Sequence, residues 1–156
     1  MKKAIILFCI LFTSCSTYEK VPANMESISE KYKIEGSKND LFVKANNWMV
    51  EIFKDSKSVI QFSDKEAGVV TGRYLFKDFG NKYVLGERVD FGQIYAIIKL
   101  QVKDGATKIT IDAEDFTEIH SEANKDYRYT KEKANQEIKS IMNKYKEYLK
   151  TEDNSF

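Results

Sequence analysis

This 156-residue chain is poor in reactive groups: it has one histidine, two cysteines, one tryptophan and one proline. A single imidazole and no cysteine pair leave little from which to build a metal site. Neither charge sign is in surplus, with 25 Lys and Arg against 24 Asp and Glu. That balance argues against a nucleic-acid partner, because phosphate-backbone binding draws on excess positive charge and counterion release. Long apolar runs are also missing except at the N-terminus, and 42% hydrophobic residues are too few for a multi-span membrane protein. Aromatics, in contrast, are plentiful. Nine Tyr and ten Phe in a chain that is 31% charged exclude a disordered protein. One compact domain is expected at this length, able to bury about two-thirds of its unfolded surface without disulfides or metal.

The one long apolar run, Ala4 to Phe12, follows Met1-Lys2-Lys3 and precedes Thr13-Ser14-Cys15. This is the layout of a signal peptide, and nine apolar residues are too few to cross a bilayer as a helix. Leu11-Phe12-Thr13-Ser14-Cys15 resembles the lipobox of bacterial lipoproteins, which needs small residues just before the lipidated cysteine. Thr13 and Ser14 meet that need, whereas Phe12 departs from the usual smaller residue. The resemblance implies that 1–14 is removed, that Cys15 becomes the lipidated first residue, and that Cys9 leaves with the peptide. Two or three acyl chains, at about 0.8 kcal/mol per buried methylene, anchor stably where one is marginal. Ser16, lacking the acidic residue of inner-membrane retention signals, favours the outer membrane, facing the periplasm or the cell surface. Loss of Lys2 and Lys3 leaves the remainder one charge negative. Residues 15–28 are polar, contain Pro22 and show no period, so they read as a lipidated tether.

The domain itself is expected over 29–150, with a disordered tail at 151–156. Tyr32 and Ile34 alternate with Lys31, Lys33 and Glu35, which predicts a short first strand ending at Gly36. Ser37 and Asp40 have capping-box spacing ahead of a helix whose buried stripe is Leu41, Ala45, Trp48, Met49 and Ile52, widened by Phe42 and Phe53. A hairpin follows, from Ser58 to Ser63 and Val69 to Phe76, turning at Asp64 to Gly68. Asp78 to Asn81 and Gly86 to Gly92 read as loops around a short edge strand at Tyr83 to Leu85. The clearest hairpin is Gln93 to Lys103 and Ala106 to Phe116, with Asp104-Gly105 supplying its tight turn. Ile94, Ala96, Ile98, Leu100 and Val102 then share a core face with Ile109, Ile111 and Ala113. Ser121 to Tyr129 reads as a polar loop, and Thr130 as the cap of a closing helix that buries Ala134, Ile138, Ile141, Met142, Tyr145 and Leu149. The fold class is therefore α+β: a single antiparallel sheet with two helices on one face.

The stretch Leu41, Trp48, Phe53, then Ser58-Val59-Ile60-Gln61, Asp64-Lys65-Glu66-Ala67-Gly68, Val70 and Gly72 resembles a bacterial lipoprotein domain of unknown function with a TATA-binding-protein-like (TBP-like) fold. The resemblance covers roughly 39 to 116. It implies a curved antiparallel sheet with helices on one side and brings no known activity. Fold likeness to a DNA-binding protein does not transfer function.

His120 lies just past the last strand with only carboxylates near it, so a solvated histidine is favoured over a metal ligand, and no metal or cofactor is expected. A triad with Ser121 lacks a nucleophile elbow. Asp112, Glu114, Asp115, Glu118 and Glu122 form an acidic run. Asp112 and Glu114, about 6.6 Å apart along one strand face, could pair as catalytic carboxylates or hold Ca²⁺ weakly. A polar edge is the simpler reading. The basic outer side of the last helix is broken by Glu132, Glu137 and Glu147, which favours a solvated face over a lipid-binding one. The uncovered sheet face, with Arg73, Tyr95, Ile97, Lys99, Gln101 and Lys108, is the surface expected to bind. The whole reads as a non-enzymatic envelope lipoprotein, membrane-bound through Cys15, that binds a protein or envelope component. The alternative is a glycan or lipid hydrolase using Asp112, Glu114 and His120.

Overall fold

The structure, a computed structural model, describes residues 18–53, 59–84, 86–121 and 128–151. The expected signal peptide at 1–14, Cys15 with its lipidation, and 152–156 of the expected tail lie outside the described residues, as do Ser58, Leu85 and Glu122. The elements run β1 (Tyr18–Pro22), β2 (Ile28–Lys33), α1 (Lys38–Ile52), β3 (Val59–Asp64), β4 (Val69–Asp78), β5 (Asn81–Val84), β6 (Glu87–Asp90), β7 (Gln93–Lys103), β8 (Ala106–Ala113), β9 (Thr117–Ser121) and α2 (Lys131–Lys150).

The main sheet has five antiparallel strands in the order β2-β8-β7-β4-β3. At its centre β7 alternates strictly, so Ile94, Ala96, Ile98, Leu100 and Val102 are buried while the residues between them are not. This apolar face takes both helices. The Ser37 hydroxyl accepts from the Asp40 amide at 3.2 Å and the Asp40 carboxylate accepts from the Ser37 amide, which starts α1 where the capping box predicts. Leu41, Phe42, Ala45, Trp48 and Met49 of α1 are buried, and α2 buries all six residues of its expected stripe. Gly72 leaves the space that Phe53 needs: a Cβ there would lie 2.1 Å from the Phe53 ring.

A single sheet is not what forms. β1 pairs with β9, and β5 with β6, as two-stranded ribbons apart from the main sheet. The β8 strand stops at Ala113 rather than Phe116, because Asp115 adopts a left-handed backbone (φ 40°) that turns the chain away. The bulge between Leu75 and Lys77 bends the end of β4, which runs on to Asp78; β5 overlaps the short strand expected at 83–85, and β6 takes the place of most of the loop expected at 86–92. Within the expected tether, Tyr18–Pro22 is a strand on β9, Ala23 donates to the Phe116 carbonyl at 2.9 Å, and Met25 is buried. An irregular side-chain pattern does not prevent pairing when an open edge offers partners for the backbone. Tyr129, expected in a loop, is buried against Phe76, Phe79 and Phe116 and pairs with Ile119 through both backbone bonds.

The Tyr145 ring lies 4.7 Å from Trp48 of α1 and 6.2 Å from Tyr32 of β2, and its hydroxyl is 2.7 Å from that of Thr107 on β8. Tyr145→Phe should cost about 1–2 kcal/mol by stripping Thr107 of its closest partner, and adding Thr107→Val should recover part of that loss. Urea titration of the two single variants and the double variant checks this, with simple additivity counting against the bond.

Candidate functional site

The sheet face away from the helices is built in rows set by strand register. In one row Glu114, whose amide donates to the Tyr95 carbonyl, stands beside Tyr95 and Leu75. In the next, Asp112, Ile97, Arg73 and Val59 run across four strands. Then come Ser29, Thr110, Lys99, Thr71 and Phe62, followed by Lys31, Lys108, Gln101, Val69 and Asp64. All six residues expected to form the binding face, Arg73, Tyr95, Ile97, Lys99, Gln101 and Lys108, therefore stand on one surface. They are exposed or half-buried.

Arg73 is a cation of this face that is held on two sides. Its guanidinium carbon sits 3.3 Å from the centre of the Tyr95 ring, and its Nε donates to Glu114 Oε2 at 2.8 Å. The Glu114 bond raises the arginine's already high pKa, so it is always charged. Tyr95 in turn donates to Gln93 Oε1 at 2.7 Å. Next to this surface, β3 is an edge strand with half-exposed Val59 and Phe62, an apolar rim that residue spacing does not single out. Lys31 and Lys33 were also not expected on this face. Their alternation with Tyr32 and Ile34 was visible, but that β2 would lie beside β8 was not.

Asp112, Glu114 and His120 are not joined to one another by any hydrogen bond among the described residues. Asp112 is exposed, Glu114 holds Arg73, and His120 belongs to a different sheet, where its Nε2 is 2.8 Å from Glu118 Oε2. Among the described residues no group of three or more His, Cys, Asp or Glu could hold a metal ion. Glu118, expected to be one of an acidic run, has a structural role instead. Its Oε1 accepts from the Lys131 amide at 2.8 Å and so caps α2 from β9. Thr130 occupies the cap position without a capping side-chain bond.

A family model described as a domain of unknown function (DUF4468) with TBP-like fold matches residues 30–117. The chain belongs to the DUF4468 family. A crystal structure of a TBP-like protein from Parabacteroides distasonis is 14% identical, with a TM-score of 0.53, over 84% of this chain and 99% of that one. A DUF4468 family protein from Bacteroides ovatus is 15% identical, with a TM-score of 0.48, over 85% of this chain and 92% of that one. No curated protein matches. The DUF4468 match spans the strands that carry the open face, from β2 to the start of β9. It leaves out β1 and α2.

The Lys131 amide, followed by the His120 side chain, holds the Glu118 carboxyl below its ordinary pKa. A depressed carboxyl stabilises the fold above its unfolded pKa, and that contribution is lost as the pH falls through the folded value. Glu118→Gln should therefore lower stability at pH 7 by on the order of 1 kcal/mol while changing it little at pH 3. Urea midpoints at the two pH values test this, and an equal loss at both would contradict it.

Proposed function

We propose that this DUF4468 protein is a lipid-anchored lipoprotein of the bacterial envelope, held at the outer membrane, whose domain is a non-enzymatic binding module for a protein or envelope component. The observation that carries this reading is the open sheet face, where Tyr95, Ile97, Lys99 and Gln101 follow one another on β7 with neighbours from β4 and β8 and, among the described residues, no helix over them. Its mixture of a stacked Arg-Tyr pair, amphipathic lysines and an apolar rim at β3 suits recognition of another molecule. Asp112, Glu114 and His120, the residues of the hydrolase alternative, share no hydrogen bond among the described residues.

Anchoring rests on Cys15 and its Thr13-Ser14 approach. Because β1 begins at Tyr18, the linker is far shorter than the sequence suggested. The three residues from Cys15 to Tyr18 span at most about 10 Å, which holds the β1 end of the domain against the bilayer.

Cys15→Ala should shift the protein from the membrane fraction to a soluble or retained precursor form. Unchanged detergent-dependent fractionation would exclude the anchor. Tyr95→Ala combined with Lys99→Ala should abolish cross-linking to neighbours in the native envelope while altering stability by less than about 1 kcal/mol. A collapse of the melting curve would instead make those side chains structural.

A further inference from the structure

The β7–β8 turn end of the open face concentrates lysine. Lys33 and Lys103 flank Ala106 on either side, and Lys31 stands directly opposite Lys108. One row further, Lys99 lies opposite Thr110. With strands about 4.8 Å apart and same-face residues about 6.7 Å apart, the five side chains occupy a patch of roughly 10 by 15 Å. Like charges directly opposite in a sheet are destabilising, and this nearly neutral chain had acids available to separate them.

Six lysines elsewhere are used internally, while Lys65, Lys139 and Lys144 have no hydrogen bond or ion pair among the described residues. Lys20, Lys38, Lys44, Lys131 and Lys133 each donate to a backbone carbonyl, and Lys150 pairs with Glu147. None of the five lysines of the patch has a side-chain hydrogen bond or a carboxylate within ion-pair distance among the described residues. The nearby acids serve the backbone instead: Asp104 in the turn accepts from the Lys38 amide at 2.7 Å, and Asp64 from the Ala67 amide at 2.9 Å. Three of the five, Lys31, Lys103 and Lys108, line a concavity of about 280 Å³ together with Gln101, Ala106 and Thr107.

We propose that this concavity binds a compact ligand carrying several phosphoryl groups. The proposal rests on the open-face reading and names the chemistry of its partner. Ammonium groups on flexible stems can converge on phosphoryl oxygens from several directions as compact point charges. Gln101 adds a neutral donor. The size of the hollow fits a few phosphoryl groups rather than a polymer laid across the sheet. β1 and β9 lie beyond Ala113, at the other end of β8 from the lysines. With Cys15 as anchor, the patch then points away from the membrane that holds the protein, which favours a soluble ligand over that membrane's own headgroups.

Calorimetric titration of the full chain, in non-ionic detergent, with inorganic tripolyphosphate is the test. Saturable binding is expected at about 50 mM salt, weakening at least tenfold by about 250 mM. Lys31→Gln with Lys108→Gln should weaken it about tenfold without lowering the melting temperature, as should Lys33→Gln with Lys103→Gln. Lys139→Gln with Lys144→Gln on α2 should leave it unchanged. No binding at low salt, or equal affinity in all three double variants, overturns the proposal. So does competition by polyglutamate as strong as that by tripolyphosphate. Patch-dependent preference for phosphatidylglycerol over phosphatidylcholine vesicles, with no tripolyphosphate binding, assigns the patch to a lipid surface and overturns it too. If envelope cross-linking survives while tripolyphosphate fails, only this site falls. If tripolyphosphate binds while cross-linking through Tyr95 and Lys99 fails, only the broader reading falls.

Discussion

The buried hydroxyl pair of Tyr145 and Thr107 joins everything that covers the sheet to the sheet itself. Tyr145 comes from the last helix, Trp48 packs on its ring from the first, Tyr32 meets its edge from β2, and Thr107 lies on β8. Burial pushes the Tyr145 pKa up to about 12, so the phenol keeps its proton across the physiological range and the bond persists. A hydroxyl this deep is tolerable only with a partner, and that requirement places α2 at one height on the sheet. The apolar stripes of the two helices could slide along an apolar face; a paired hydroxyl cannot.

One-sided cover leaves the other face of the sheet open. Because β7 alternates, every residue committed to the helices leaves a neighbour facing the other way, and β8 and the first half of β4 repeat the pattern on either side. The open face is thus a by-product of core construction, and its composition is free to serve recognition. It divides into an ordered part, where Arg73 is held between Tyr95 and Glu114, and a lysine-rich part whose charges have no internal partner among the described residues. DUF4468 membership covers the strands of this face but assigns it no activity.

The helices and both long hairpins were legible because their signals are local. Ser37 with Asp40 starts α1, Asp104-Gly105 turns β7 into β8, and the α2 stripe from Ala134 to Leu149 has a helical period. Features that depend on distant partners were not legible. Residues 18–22 carry no strand pattern, yet the edge of β9 provides backbone partners. Tyr129 looks like one more polar-loop residue until Phe76, Phe79 and Phe116 surround it. Glu118 looks like part of an acidic run, but the first amide of α2 needs an acceptor and Thr130 does not provide one. The six residues expected on the open face were found by period-two counting. Lys31 and Lys33 were overlooked as part of it because counting within β2 says nothing about which strand lies alongside.

By itself the sequence determined both helices, the two long hairpins, the buried stripe of α2 and which β7 residues turn from the core, since each follows from spacing within one segment. It also places the apolar run Ala4 to Phe12 and Thr13-Ser14-Cys15 ahead of Tyr18. Tertiary structure alone decided that the strands divide into a five-stranded sheet and two ribbons, that β1 docks on β9, and that Lys31 faces Lys108. Those outcomes depend on strand pairing between segments far apart in the chain, and backbone hydrogen bonds, which supply most of that pairing, are the same for every sequence.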